Sequence, residues 1–262
     1  MQANNGLNFY IIFNMKIKIT CALLFILVFG CKKEDELVYK PLTFENEKCA
    51  DCPEVNISIF DFLEDSKIAS TINNTLKNEV INQLLYDEET KVSTIDDAIT
   101  SFKNGYLDLK KMYPDETLGW EAKIKGDVIY ENKDIISIQL ETYIFTGGAH
   151  GYSATRFLNF DKKKGDQLEN WQLFKTKDSF EHFAEIKFKI QEDIPQNASI
   201  NSTGFMFEGD SFYLPANIGF TKKGIQLVYN QYEVASYADG PINITLPYNE
   251  IKKFLAIAIK KE

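Results

Sequence analysis

The hydrophobic period of this chain changes at about Leu118, and that change limits the folds open to it. Before it, Ile68, Ile72, Leu76, Val80 and Leu84 recur at helical spacing, as do Ile95, Ile99, Phe102, Tyr106 and Leu109. The first set predicts a helix over residues 66–86. The second predicts a helix starting at Ser93 or Thr94, with Asp96 and Asp97 suited to its positive N-terminus and Pro114 just past its end. After the change, apolar residues alternate. Residues 120–130 and 135–145, joined by the turn Glu131-Asn-Lys-Asp134, read as a β-hairpin. Residues 152–160 read as a further strand, Asp161-Lys-Lys-Lys-Gly165 as a turn and residues 168–174 as a short return. One earlier strand is marked by Val55, Ile57 and Ile59.

The remainder continues the mixture. A helix capped by Asp178 or Ser179 carries Phe180, Phe183, Ile186, Phe188 and Ile190 near its apolar side. Strands are expected at 212–214, 217–221, 224–229 and 242–246, with Lys222-Lys223-Gly224 as a hairpin turn, and a closing helix at 248–258. The aromatic content of 13% and the β-branched residues of the second half favour sheet over a helix bundle. The fold class is α+β: mostly antiparallel sheet with packed helices, in two small, intimately associated subdomains.

The first thirty residues stand outside that fold. Lys16 and Lys18 form a basic n-region, residues 19–29 form an apolar run shorter than the ~20 residues of a spanning helix, and Val28-Phe29-Gly30-Cys31 reads as a lipobox. Translation is expected to start at Met15, because the uncharged residues 1–14 precede the basic pair. Residues 1–30 are then a signal peptide, Cys31 the lipidated residue, and residues 31–52 a flexible tether. Lys-Lys-Glu-Asp-Glu after Cys31 resembles the charged tether of Bacteroidetes lipoproteins, which implies a lipid anchor in the cell envelope, at the periplasmic or surface face of an outer membrane.

Charge and cysteine usage agree with an envelope setting. The leader holds Lys16 and Lys18 and no acid, so its removal takes the net charge from −9 to −11. Such a chain is a poor candidate for nucleic acid or an anionic membrane surface. The mature fold keeps only Cys49 and Cys52, in Cys49-Ala-Asp-Cys52-Pro53. A CxxC can be a redox centre, half a zinc site or a small structural disulfide. Zinc needs about four ligands, and neither a second CxxC nor a His pair accompanies this one. A redox motif belongs between a strand and a helix N-terminus, whereas this one precedes the first expected strand. A local disulfide is the preferred reading.

Catalytic signals are sparse. The chain holds two histidines, His150 and His182, with no Gly-x-Ser-x-Gly elbow, P-loop or dinucleotide fingerprint. Carboxylate pairs such as Asp61/Glu64 and Asp96/Asp97 arise by chance in an acidic chain. No cofactor, no metal ligand set and no catalytic residue is expected. One segment stands apart: Thr146-Gly147-Gly148-Ala149-His150-Gly151-Tyr152 leaves a strong strand with three glycines, an imidazole and a phenol. Its glycines permit positive φ and close backbone approach. It reads either as a recognition loop through Thr146, Gly147, Gly148, His150 and Tyr152, or as a glycine-built crossover with His150 bonded locally.

This loop, with Leu158-Asn-Phe-Asp161, Gly165 and Leu173-Phe174, resembles the envelope domain of lysozyme-sensing anti-sigma-V factors, the RsiV-like family. The run Phe220-Thr-Lys-Lys-Gly-Ile-Gln-Leu-Val-Tyr229, Tyr232-Glu-Val-Ala235, Tyr237-Ala-Asp-Gly240 and Leu246-Pro-Tyr248 is similar to the same domain. Residues 53–145 resemble the companion domain shared with the peptidoglycan deacetylase PdaC, and residues 146–262 the RsiV-like domain. The resemblance implies an extracytoplasmic α+β module without catalysis of its own, binding a lysozyme-like protein or cell-wall glycan. Sigma-factor control does not carry over, since a lipobox stands where that family has a transmembrane helix. An envelope glycan hydrolase or transferase using paired carboxylates is the competing reading.

Overall fold

The computed structural model describes residues 36–45, 52–87, 91–114, 119–257 and 259. Its centre is a six-stranded sheet in the order β1-β2-β3-β4-β5-β6, which is also the order of the chain. The strands are β1 (Tyr39–Glu45), β2 (Glu54–Phe62), β3 (Glu121–Glu131), β4 (Ile135–Phe145), β5 (Tyr152–Asp161) and β6 (Asp166–Leu168). Every neighbouring pair is antiparallel except β2 and β3, which run parallel because two helices cross between them.

Those helices are α1 (Lys67–Leu84) and α2 (Ile95–Met112), and both begin as their sequences specify. Ser66 Oγ accepts the Ala69 N–H at 3.3 Å and Thr94 Oγ1 the Asp97 N–H at 3.1 Å, each satisfying an otherwise orphaned helix donor. Asp96 and Asp97 lie in the first turn of α2 and Lys110 and Lys111 in its last, as the helix dipole favours. The apolar stripe Ile68, Ile72, Leu76, Val80 and Leu84 is buried against one face of the sheet. That face is supplied by Ile57 and Ile59 of β2, Ala122 and Ile124 of β3, Ile136, Ile138 and Leu140 of β4, and Leu158 and Phe160 of β5. Gly105 of α2 lies under the Tyr86 ring, where a Cβ would come within 2.4 Å, so the helix end can approach only without a side chain.

A second sheet, β7 (Asn217–Phe220), β8 (Gly224–Tyr229) and β9 (Ile242–Pro247), forms an antiparallel meander. It shares a core with α3 (Lys177–Gln191), whose Phe180, Ala184 and Phe188 are fully buried at four-residue spacing. Around Phe188 stand Phe205, Phe207, Phe212 and Tyr229, all within 6 Å between centroids and edge-on. The two sheets meet through the second face of the large one. A bulge in β3 between Val128 and Tyr130 flips the strand, turning Tyr130 from the helix side to stack on Phe220. The whole of Leu37–Glu262 forms one compact unit.

Several expectations are corrected. Residues 39–45, placed within the flexible tether, form edge strand β1, with Leu42 and Phe44 packed on the core at alternate positions. The boundary expected at 145/146 lies in the connection between β4 and β5, two paired strands of one sheet. In place of the return expected at 168–174, the three-residue strand β6 ends at Leu168 and a 3-10 turn, Asn170–Leu173, follows. Residues 212–214 are not a strand: the Tyr213 carbonyl accepts the Tyr229 hydroxyl at 2.5 Å instead. The closing helix is one turn, α4 (Tyr248–Ile251), because backbone groups beyond it turn to another partner. Lys175 donates to the Phe254 carbonyl at 2.8 Å, and Ala256 to that of Leu173 at 2.9 Å. Helix α3 starts after Thr176, two residues before the caps expected at Asp178 or Ser179, and its Ile190 is exposed.

Candidate binding groove and the glycine–histidine loop

The second face of the large sheet is only half covered. Where β4 and β5 pass Ile218 and Phe220, polar side chains are buried and used as fasteners. Ser137 donates its hydroxyl to Asn159 Oδ1, Asn159 Nδ2 donates to the Ile218 carbonyl at 2.7 Å, and the Phe220 N–H donates to Ser137 Oγ at 3.3 Å. Ser137 is 0% and Asn159 1% exposed. Gly219 sits between them under the Phe157 ring, where a Cβ would come within 2.5 Å.

The other half of that face lies open as a groove of about 540 Å³. Its floor follows the strand register: Glu45, Asn56, Lys123, Tyr143 and Ser153 form one row, and Thr43, Ser58, Lys125, Glu141 and Thr155 the next. Asn230 and Pro241 stand as one wall. Lys123 is paired with Glu121 and Lys125 with Asp127 at 2.7 Å, and these partners hold both ammonium groups above the ordinary lysine pKa. Gln139 Nε2 donates to Glu141 at 2.9 Å.

The wall is fixed to β5 by side chains acting as a strand. Beyond β6, the edge of β5 has no neighbouring strand among the described residues. There the Thr155 N–H donates to Asn230 Oδ1 at 2.8 Å and the Thr155 carbonyl accepts from Asn230 Nδ2 at 3.1 Å. The Ser153 N–H donates to Gln231 Oε1 at 3.3 Å. Behind this segment Glu233 accepts the Asn230 N–H at 2.9 Å, and burial pushes its carboxyl above the usual glutamate range.

The glycine–histidine loop adjoins the groove. Gly147 and Gly148 hold φ of +103° and +90°, backbone that side chains rarely adopt, with open space around both. Gly151 is needed for a different reason: a Cβ there would meet the Tyr143 ring at 2.5 Å. Thr146, Gly148, His150 and Tyr152 are exposed. The His150 ring stacks on Tyr237, with centroids 3.6 Å apart and planes 17° apart, and its Nε2 lies 3.2 Å from the Tyr232 hydroxyl. Tyr232 is held at φ +66° and Tyr237 lies 3.4 Å from the Gly151 carbonyl.

Of the residues singled out in the sequence, Thr146, Gly147, Gly148, His150 and Tyr152 thus lie together at one end of the β4–β5 hairpin. Cys31 and Cys49 lie outside the described residues, and Cys52 is disulfide-bonded. The groove itself was not foreseen. Its residues are ordinary outward positions of strands, and only the pairing of five strands gathers them. Tyr232 and Tyr237 occur in motifs already noted, but their meeting with His150 spans 82 residues or more of chain.

Among the described residues, no cluster of three His, Cys, Asp or Glu side chains could hold a metal ion, and no helix is long and apolar enough to cross a membrane. Residues 46–153 match the family model described as Deacetylase PdaC, and residues 166–249 that described as Protein of unknown function (DUF3298). These are the two families to which the sequence resemblance pointed. Among solved structures, a DUF3298-family protein from Pseudomonas aeruginosa PAO1 is 19% identical, with a TM-score of 0.63 over 85% of this chain and 95% of its own. A DUF3298-family member from Bacteroides fragilis NCTC 9343 is 20% identical, with a TM-score of 0.66 over the same shares. Likeness at such identity is likeness of fold. No curated protein matches the chain.

Proposed function

We propose that this chain, a PdaC-family domain followed by a DUF3298 domain, is a non-catalytic binding module of the cell envelope, lipid-anchored through Cys31. The ligand classes that fit are a lysozyme-like protein and cell-wall glycan, and the site is the groove with its adjoining His150–Tyr237–Tyr232 stack. One observation carries the choice of binding over hydrolysis. Two carboxylates line the groove, Glu45 on β1 and Glu141 on β4, while the acids beside them, Glu121 and Asp127, are each tied to a lysine. Three strand spacings separate Glu45 from Glu141, about 14 Å, wider than the ~5–9.5 Å across which glycosidase pairs cooperate. What the groove offers instead is a broad polar floor with an aromatic ring.

The test immobilises the Leu37–Glu262 unit and offers it lysozyme and, separately, insoluble peptidoglycan. A second sample carries Ser58→Trp, which places a bulky ring on the exposed mid-floor position of β2. Retention of one ligand by the native unit and not by the variant is expected. Retention of neither, or equal retention by both, overturns the reading. The anchor is checked in cells: Cys31→Ala should take up no labelled palmitate, and normal labelling of that variant removes Cys31 as the lipid site.

A further inference from the structure

We infer that the groove takes a neutral, hydroxyl-rich oligosaccharide laid along the sheet, an assignment of ligand class that rests on the binding-module reading. The centre of the floor, between edge strand β1 and β5, is made from β2, β3 and β4, whose neighbours flank them on both sides. Their backbone donors and acceptors are committed to those ladders, so an extended peptide laid over these three strands finds no sheet edge to join. Recognition falls to side chains.

Those side chains suit sugar hydroxyls. Thr43, Ser58, Ser153 and Thr155 supply hydroxyls and Asn56 supplies an amide, groups that each donate and accept. A sugar hydroxyl does the same, so such a lining can answer it whichever way it points. The lining itself carries two lysines, Lys123 and Lys125, and two carboxylates, Glu45 and Glu141, in a chain whose net charge is −9. The two ammonium groups are also already engaged by Glu121 and Asp127. An anion finds no unpaired cation in this pair. Tyr143 supplies the apolar element. Its ring is fixed by packing over Gly151, with the Lys123 ammonium 5.9 Å from the centroid, and stands in the same row as Asn56 and Ser153. A fixed aromatic ring flanked by hydroxyl and amide groups receives the C–H face of a pyranose while its rim bonds outward. The volume, about 540 Å³, falls within the range of small-molecule sites.

The experiment is calorimetric titration of the Leu37–Glu262 unit with two neutral probes, a β-1,4-linked N-acetylglucosamine tetrasaccharide and cellotetraose, beside a neutral tetrapeptide. Saturable binding of at least one sugar, at a dissociation constant near or below about 1 mM, is expected, with none for the peptide. Tyr143→Ala should weaken it about tenfold or more, and Tyr143→Phe, which keeps the ring, should stay within about twofold. Ser58→Trp should abolish it without lowering the melting temperature. No heat from either sugar, while peptidoglycan or lysozyme is still retained in a Ser58→Trp-sensitive manner, overturns the sugar assignment and leaves the binding module standing. Loss of all binding to the native unit overturns both. Sugar binding indifferent to Ser58→Trp and Tyr143→Ala overturns the placement in this groove.

Discussion

One face of the large sheet has two halves of similar composition and opposite fates. At Ser137 and Asn159 the outward residues of β4 and β5 are polar, and they are completely buried. At Glu141 and Thr155, on the same strands and the same face, the residues are again polar and line an open groove. What separates the halves is the partner. In the first, the Phe220 N–H and Ile218 carbonyl meet the side chains with complementary donors and acceptors. In the second, among the described residues, no such backbone partner meets the side chains of the floor. Polar residues on a strand therefore signal a face without an apolar lid, and the two halves distinguish an interface from a site.

The sharpest way to break the comparison is Asn159→Leu. It leaves the donated proton of the buried Ser137 hydroxyl and the Ile218 carbonyl without partners together, and each unsatisfied group costs about 1–3 kcal/mol. A loss of about 2–4 kcal/mol in a denaturant melt is expected. A change below about 1 kcal/mol would show that the fastener is dispensable. In the open half, Glu141→Gln should shift stability by less than about 0.5 kcal/mol, because nothing buries that side chain.

Between those extremes lies the hairpin connection. Gly148→Val has room for its side chain but forces a residue with a Cβ into φ +90°, and should cost about 1–3 kcal/mol. His150→Ala should cost less, since the imidazole is exposed and leaves its partner Tyr237 still bonded to the loop. Equal melting temperatures for Gly148→Val and the native protein would show that the loop relaxes freely.

The smallest effect concerns pH at the groove wall. Burial raises the Glu233 carboxyl above the ordinary 4.5, against the hydrogen bonds from Asn230 and Ala216 that lower it. The folded protein then holds this proton to higher pH than the unfolded chain. The carboxylate's contribution to stability falls as pH rises from the ordinary range through the raised value, and its cost is fully present at neutrality. Glu233→Gln should flatten that part of the stability–pH profile, leaving the similar slope from Glu79, whose burial outweighs the pull of Arg156. An unchanged slope in denaturant melts would show that Glu233 is not buried enough to matter.

The fold class and both central helices were legible because their signals are local: a stripe at helical spacing, a capping Ser66 or Thr94, an alternation ended by a turn. Edge strand β1 was hidden by its charges and by Pro41, features an edge tolerates and a central strand does not. Helix α4 stopped early because Leu255 pairs with Phe174, 81 residues away, and no local pattern reports that. The glycine loop was read correctly as to positive φ at Gly147 and Gly148. Its aromatic partners, and the groove beside it, depend on which strands lie next to which, and that information is spread across the whole chain.

The amide pairing of Asn230 with Thr155 also bears on self-association. An open-ended sheet is a template, and any bare stretch of its margin invites a second molecule to extend it. Here β1 carries Pro41, which offers no N–H, and β6 is only three residues long. The stretch of β5 that β6 leaves bare is occupied by a carboxamide imitating a peptide unit. Asn230 thereby works as an internal stopper against strand-by-strand polymerisation, a safeguard of most use when many copies of one chain are crowded onto a surface.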